Sequence, residues 1–165
     1  MEQDRIDVIL SQWQQEVPAL QVSSLGVVGR VLRLARLLEK HREAVLAEYG
    51  LNIWSFDVLA TLRRQGAPYQ LKPTDLYSLL MLSSGAMTNR IDRLEKDGIV
   101  TRLRDPDDRR GVIVQLSAQG VDLADKVMPV LFEREGQLLK VFSTGEAATL
   151  VTLLRQFLIT LEHDV

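Results

Sequence analysis

Two stretches of this chain hold side chains suited to gripping a polyanion. Ser84, Gly85, Met87, Thr88 and Asn89 open a helical pattern, and all are small or hydrogen-bonding except Met87. Such residues let a helix N-terminus come close to base edges in a DNA major groove, while its free amides can donate to a phosphate oxygen. Further on, the loop "RDPDDRRG" carries Arg104, Arg109 and Arg110. A guanidinium there can enter a minor groove, where narrow A·T-rich stretches concentrate negative potential. Asp108, two residues before Arg110, is placed to brace that side chain by ion pairing. The competing reading is a solvated hairpin tip, since residues 84–117 hold seven Lys/Arg against six Asp/Glu. A third feature is of another kind. In "WSFDVLATLRR", residues 54–64, Asp57 is the only carboxylate among Trp54, Phe56, Val58, Leu59, Ala60 and Leu62. Burying a charge is costly unless it is paired. On a helical wheel Asp57 falls beside Thr61 and Arg64, so a solvated residue, a structural ion pair and a working group all stay open.

The elements that must position these residues follow from apolar spacing. Ile6, Ile9, Leu10 and Trp13 recur at i, i+3, i+4 and i+7, which predicts an amphipathic helix over 4–16, ended by Pro18. A long helix over 24–49 closes at Gly50, and another over 53–65 runs from Asn52 as N-cap to Gly66. Residues 66–72 read as a turn with a short strand. A short helix over 73–80 is broken by "MLSS", and Ser83 or Ser84 caps the next, which Gly98 stops after Asp97. Two helices and a tight turn within so short a span have helix-turn-helix spacing. Ile91 and Leu94 mark the face of the second helix that packs on its domain. Ile99, Val100 and Leu103, then Val112, Val114 and Leu116, are β-prone, and the charged loop between them makes a hairpin. Helical pattern returns after Ser117 to about Phe142, with a kink expected at Pro129. "STGE" at 143–146 is a capping box that opens a last helix, with Leu150, Leu154, Phe157 and Leu161 on one face.

Helix, helix, hairpin in that order is a winged helix-turn-helix, and the fold class is mainly α (α+β). The expected organisation is a DNA-binding domain over 51–116, flanked by a helical dimerisation region over 1–50 and 117–165. The terminal helices carry apolar stripes too long for one small winged domain to cover, and such stripes mark partner surfaces.

Composition narrows the alternatives. The 165 residues include no cysteine and two histidines, His41 and His163, which removes disulfides, thiol redox sensing and thiolate zinc sites. No metal site and no Ser-His-acid set is suggested, so an enzyme is the remote case. Net charge is −2, so any affinity for nucleic acid has to come from a local patch. No apolar run approaches the ~20 residues of a membrane span, and the N-terminus does not read as a signal peptide. A cytoplasmic address is expected.

"LSSGAMTNRIDRLEKDGIVTRLRDPDDRRGVIVQLS" resembles the core of the MarR family of transcriptional regulators. The resemblance includes the run from Leu94 and Glu95 through Gly98 to Arg102. It also includes the wing pattern at Asp108, Arg110, Val114, Leu116 and Ser117, the last more often Thr in the family. It implies an obligate dimer with intertwined terminal helices, acting on a pseudo-palindromic operator, as a repressor released by a small molecule. Half-sites would lie about one helical turn apart, on the order of 34 Å. A narrower resemblance is to the urate-responsive branch of that family. Its ligand set is a Trp in the first helix, an Asp in the helix before the DNA-binding motif, and two Arg. Trp13, Asp57, Arg90 and Arg102 stand at those places here, with 33 residues from Asp57 to Arg90 and 12 from Arg90 to Arg102. The implied effector is a small anionic aromatic compound, urate, and no cofactor is implied. A guanidinium can hold such a planar anion bidentately and an indole can stack on it. Taken singly, Trp13 also suits core or dimer-interface packing, Arg90 a phosphate contact and Arg102 a structural ion pair. Alternatives for the whole are a family member that responds to a phenolic or other aromatic compound, and a winged-helix module that binds only protein.

Overall fold

The first helix starts where the sequence supplies a cap. Asp4 accepts hydrogen bonds from the amides of Ile6 and Asp7, and Asp7 accepts one from the amide of Asp4, so α1 (Arg5–Glu16) opens on a complete capping box. Its partner is α2 (Leu25–Ala47). Only Ile6 of α1 is buried, and it lies against Gly29, where an added Cβ would stand 3.2 Å from Ile6 Cδ1. Arg30 reinforces the seat, with Nε 2.8 Å from Asp4 Oδ2 and Nη2 2.6 Å from Asp7 Oδ1. The computed structural model describes residues 2–80, 84–108 and 111–163, and of 84–87 it describes the backbone alone.

α3 (Ile53–Arg63) begins as expected at Asn52, whose Oδ1 accepts from the Ser55 amide at 3.0 Å. Ser55 Oγ returns the bond by accepting from the Asn52 amide at 2.9 Å. The chain divides into two compact units, residues 1–58 and 59–165, and the division falls inside α3. In the first unit the guanidinium of Arg42 lies over the Phe56 ring, 5.3 Å from its centroid.

The second unit holds the winged fold. After the end of α3 come β1 (Gln70–Leu71), α4 (Pro73–Leu80), α5 (Ser84–Lys96), β2 (Val100–Arg104) and β3 (Val112–Leu116). The three strands form an antiparallel sheet in the order β1-β3-β2, with Leu71 opposite Val114 and Arg102 also opposite Val114. Leu59, Leu62, Leu76, Ile91, Leu94, Val100 and Val114 are fully buried in it. Each such side chain contributes roughly 2 kcal/mol by leaving water, against under ~1 kcal/mol for an exposed ion pair. The core therefore sets the angle of α5.

α5 ends in two backbone bonds: Gly98 donates to Glu95 at 3.0 Å, and Ile99 donates to Leu94 at 2.9 Å. That closure requires the left-handed backbone found at Gly98, φ 73°. The next helix, α6 (Ala118–Leu138), is capped by Ser117 and buries Gly120, Ala124, Val127 and Leu131. It runs on through Pro129, where a kink is expected from the sequence; fully buried Val127 and Leu131 seat the helix on either side. It also stops earlier than expected. A 3-10 turn follows at Leu139–Val141, and Phe142 is extended because the chain must turn to present Ser143 as the next cap. Ser143 and Glu146 form the expected capping box of α7 (Thr144–His163). No helix among the described residues is long and apolar enough to cross a membrane.

Candidate nucleic-acid interface and effector residues

The face that α5 turns away from its core is the one the sequence marks for base contact. Ile91 and Leu94 bury one side of the helix, while Thr88 and Asn89 are exposed near its N-terminal end. Ser84, Gly85 and Met87 lie on the described backbone of α5, but their side chains are outside the described residues.

The wing is the hairpin of β2 and β3, paired from Val100 with Leu116 to Arg104 with Val112. Arg104 is exposed at its outer end, and so is Asp108 in the loop. Arg109 and Arg110 lie outside the described residues, so the brace expected from Asp108 to Arg110 is not described. The acid that organises the described part of the loop is Asp105, which sequence reasoning passed over. Lys72, immediately before α4, holds the Asp105 carboxyl below its ordinary value, with further help from the amides of Asp107 and Asp108. Its contribution to stability is thus complete above pH 3.8, the value in the unfolded chain, and is lost as pH falls through the lower native value. Thermal melts of wild type and Asp105→Asn should therefore differ at neutral pH and converge in acid. The signal for this site is the Asp-Pro at the exit of β2, a frequent turn initiator.

The hairpin is tied to α5 through Arg102. Its amide donates to Glu95 at 3.1 Å, and its guanidinium pairs with both Glu95 and Asp92. Asp92 and Glu95 stand three apart on α5, which puts them on one face of the helix, readable from spacing though not singled out. Arg102 is expected from the resemblance to belong to the effector set; in the structure two carboxylates already occupy it.

The other members of that set sit on separate elements. Trp13 is exposed on α1, where it lines an open depression with Gln12, Gln15 and Glu16. Asp57 is half-buried on α3, and of its helical-wheel neighbours Thr61 is buried and Arg64 exposed, so that side of the helix is not wholly solvated. Arg90 is half-buried on α5. Trp13 and Asp57 belong to the first unit, Arg90 and Arg102 to the second.

A helix seated on a small sheet, with its neighbour before it and a two-stranded wing after it, defines the winged helix-turn-helix class. Residues 51–112 match the model of the MarR family. The chain is 38% identical over 146 residues to the HTH-type transcriptional regulator PecS of Dickeya dadantii strain 3937, covering 88% of each. A crystal structure of a mutant MarR from Escherichia coli complexed with operator DNA shares 28% identity at a TM-score of 0.65, over 88% of this chain and 97% of that one. AbsC, a MarR family transcriptional regulator from Streptomyces coelicolor, has the same fold at a TM-score of 0.77, with 22% identity over 87% of this chain and 97% of AbsC. The chain belongs to the MarR family. That makes it a transcriptional regulator, as the sequence led us to expect, and not an enzyme.

Proposed function

We propose that this regulator is a homodimeric repressor that binds a pseudo-palindromic operator and is released from it by urate. One observation carries the DNA-binding half: α5 is anchored through Ile91 and Leu94 while Thr88 and Asn89 stay exposed beside an arginine-bearing wing. Ser84, Gly85, Met87, Thr88 and Asn89 meet base edges, and Arg104, Arg109 and Arg110, with Asp108, serve the adjoining groove. The residues 1–50 and 117–165 form the dimer region, supported by the large apolar side chains exposed on α2 and α7.

The effector half rests on Trp13, Asp57, Arg90 and Arg102 standing at the places of the urate-responsive ligand set. Trp13 stacks on the anion and Arg90 holds it. Arg102 serves differently, because an anion taking it directly would compete with Asp92 and Glu95. Asp57 senses charge: an anion nearby repels it or takes its partner, and α3 runs on from Asp57 to Arg63, into the second unit. An effector acts through differential affinity for two states, which that repulsion supplies. Asp57→Asn should keep operator affinity within about twofold and raise the urate needed for half-release by tenfold or more, the cost of losing ~1.4 kcal/mol of coupling. Trp13→Phe should weaken urate without changing DNA affinity. An Asp57→Asn protein that responds to urate as the wild type does would exclude the sensing role.

A further inference from the structure

Asp105 is a carboxylate with 2% of its side chain exposed, at the exit of β2. Its contacts among the described residues join the two ends of the wing loop or tie it to the body of the domain. Its Oδ2 lies 2.7 Å from Lys72 Nζ, on the far side of the sheet's edge strand in sequence, and its Oδ1 accepts from the Asp107 amide at 2.9 Å. Its own amide donates to the Gly111 carbonyl at 3.0 Å, and the Gly111 amide donates to the Asp108 carbonyl at 2.8 Å. The fit is close, since an added Cβ at Gly111 would stand 2.7 Å from Asp105 Cβ and 3.0 Å from Asp105 Oδ2. The described ends of the loop thus meet around a buried charge, and among the described residues the cation that answers it is borne by the residue before α4, outside the hairpin. Between Asp108 and Gly111 the sequence carries Arg109 and Arg110.

We propose that Lys72 and Asp105 are positioning residues for operator binding: their ion pair ties the described ends of the wing loop to the residue before α4 and so sets how the wing meets the DNA. This rests on the operator-binding reading above, and the chemistry gives it a distinctive sign. By charge alone, deleting an acid beside a polyanion should tighten binding. If Asp105 positions the wing, deleting its charge should weaken binding instead. A pair that merely stabilised the fold would lower the melting temperature and leave the affinity of the folded protein unchanged.

The test uses the full chain and duplex DNA from the region upstream of its own gene, read by fluorescence anisotropy across a salt series. Asp105→Asn should weaken binding about tenfold, as loss of a groove contact does. It should also make log affinity against log salt shallower by up to about two, although no cation has been removed. Lys72→Met should weaken binding similarly, and Lys72→Arg should recover most of the affinity. Asp105→Asn binding as tightly as wild type, or more tightly, with a melting curve that shows it folded, would overturn the proposal. Should that variant fail to fold, Lys72→Met decides the matter, and wild-type affinity in it overturns the proposal. Hydrogen exchange without DNA gives an independent reading. The Asp107 amide, which donates to Asp105, should exchange about tenfold faster in Lys72→Met, and an unchanged rate would count against the proposal. Failure of the wild-type chain to bind the duplex would instead count against the operator reading, and the exchange experiment would still decide the role of Lys72.

Discussion

Gly120→Ala should lower the melting temperature by roughly 10 °C, the equivalent of about 3 kcal/mol in a domain of this size. A Cβ at Gly120 would stand 2.1 Å from the carbonyl oxygen of Ile99, and a backbone atom cannot rotate aside. Relief would require α6 to lift from the strand-and-helix junction, where several bonds meet. The Ser117 amide donates to that same Ile99 carbonyl at 3.0 Å, and Ser117 Oγ donates to the Gly98 carbonyl at 2.6 Å. The Gly120 amide in turn donates to Ser117 Oγ at 3.0 Å. One methyl group thus strains the end of α5, the start of β2 and the first turn of α6 together. Gly136, on the same helix, has nothing within 4 Å of an added Cβ. Gly136→Ala should hold or raise the melting temperature, by up to ~1 kcal/mol of helix propensity. Melting curves followed by circular dichroism would separate the two, and equal midpoints for Gly120→Ala and wild type would contradict the packing described.

The second large effect concerns α7. None of its residues is buried, while Leu153, Leu154, Leu158, Ile159 and Leu161 are each 46–57% exposed. Only Ala147, Leu150 and Phe157 are even half-buried, and a leucine-rich helix left so exposed marks a surface that a partner covers. Covering it with a second copy would recover roughly 2 kcal/mol per side chain fully buried. In the proposed homodimer, aspartate at both Leu154 and Leu158 would bury two unpaired charges at that seam, so a dimeric wild type should give way to monomers in sedimentation or light scattering. Operator affinity should drop by about a hundredfold or more, because each winged domain would then engage its half-site without the other's tethering. A variant that stays dimeric, or a monomer that keeps wild-type affinity, would show that α7 does not hold the two recognition helices together.

How much of this was legible depended on the range of the interaction. Caps and stops are local, so Asn52, Gly98 and the Ser143–Glu146 box were readable from a few consecutive residues, and the structure has each of them in place. Strand pairing followed from alternation on either side of the charged loop. The ion pairs were not readable in the same way. Arg30 with Asp4 and Asp7, and Lys72 with Asp105, join residues distant in sequence whose approach depends on how helices and strands are seated. No periodicity encodes such a pair. Arg102 is intermediate: its strand position suits a structural ion pair, and its partners share a helix face that spacing reveals, while family resemblance points to an effector role. Asp57 shows the limit of a helical wheel, since Thr61 beside it is buried and a polar position is not thereby a solvated one.

The most direct test of the central claim is a release assay on the wild-type protein bound to duplex DNA from upstream of its own gene, titrated in parallel with urate, xanthine and salicylate. Urate should dissociate the complex at concentrations at which xanthine and salicylate leave it intact, and Asp57→Asn should remove that preference. A complex untouched by urate but released by salicylate would contradict the account and assign the regulator a phenolic effector.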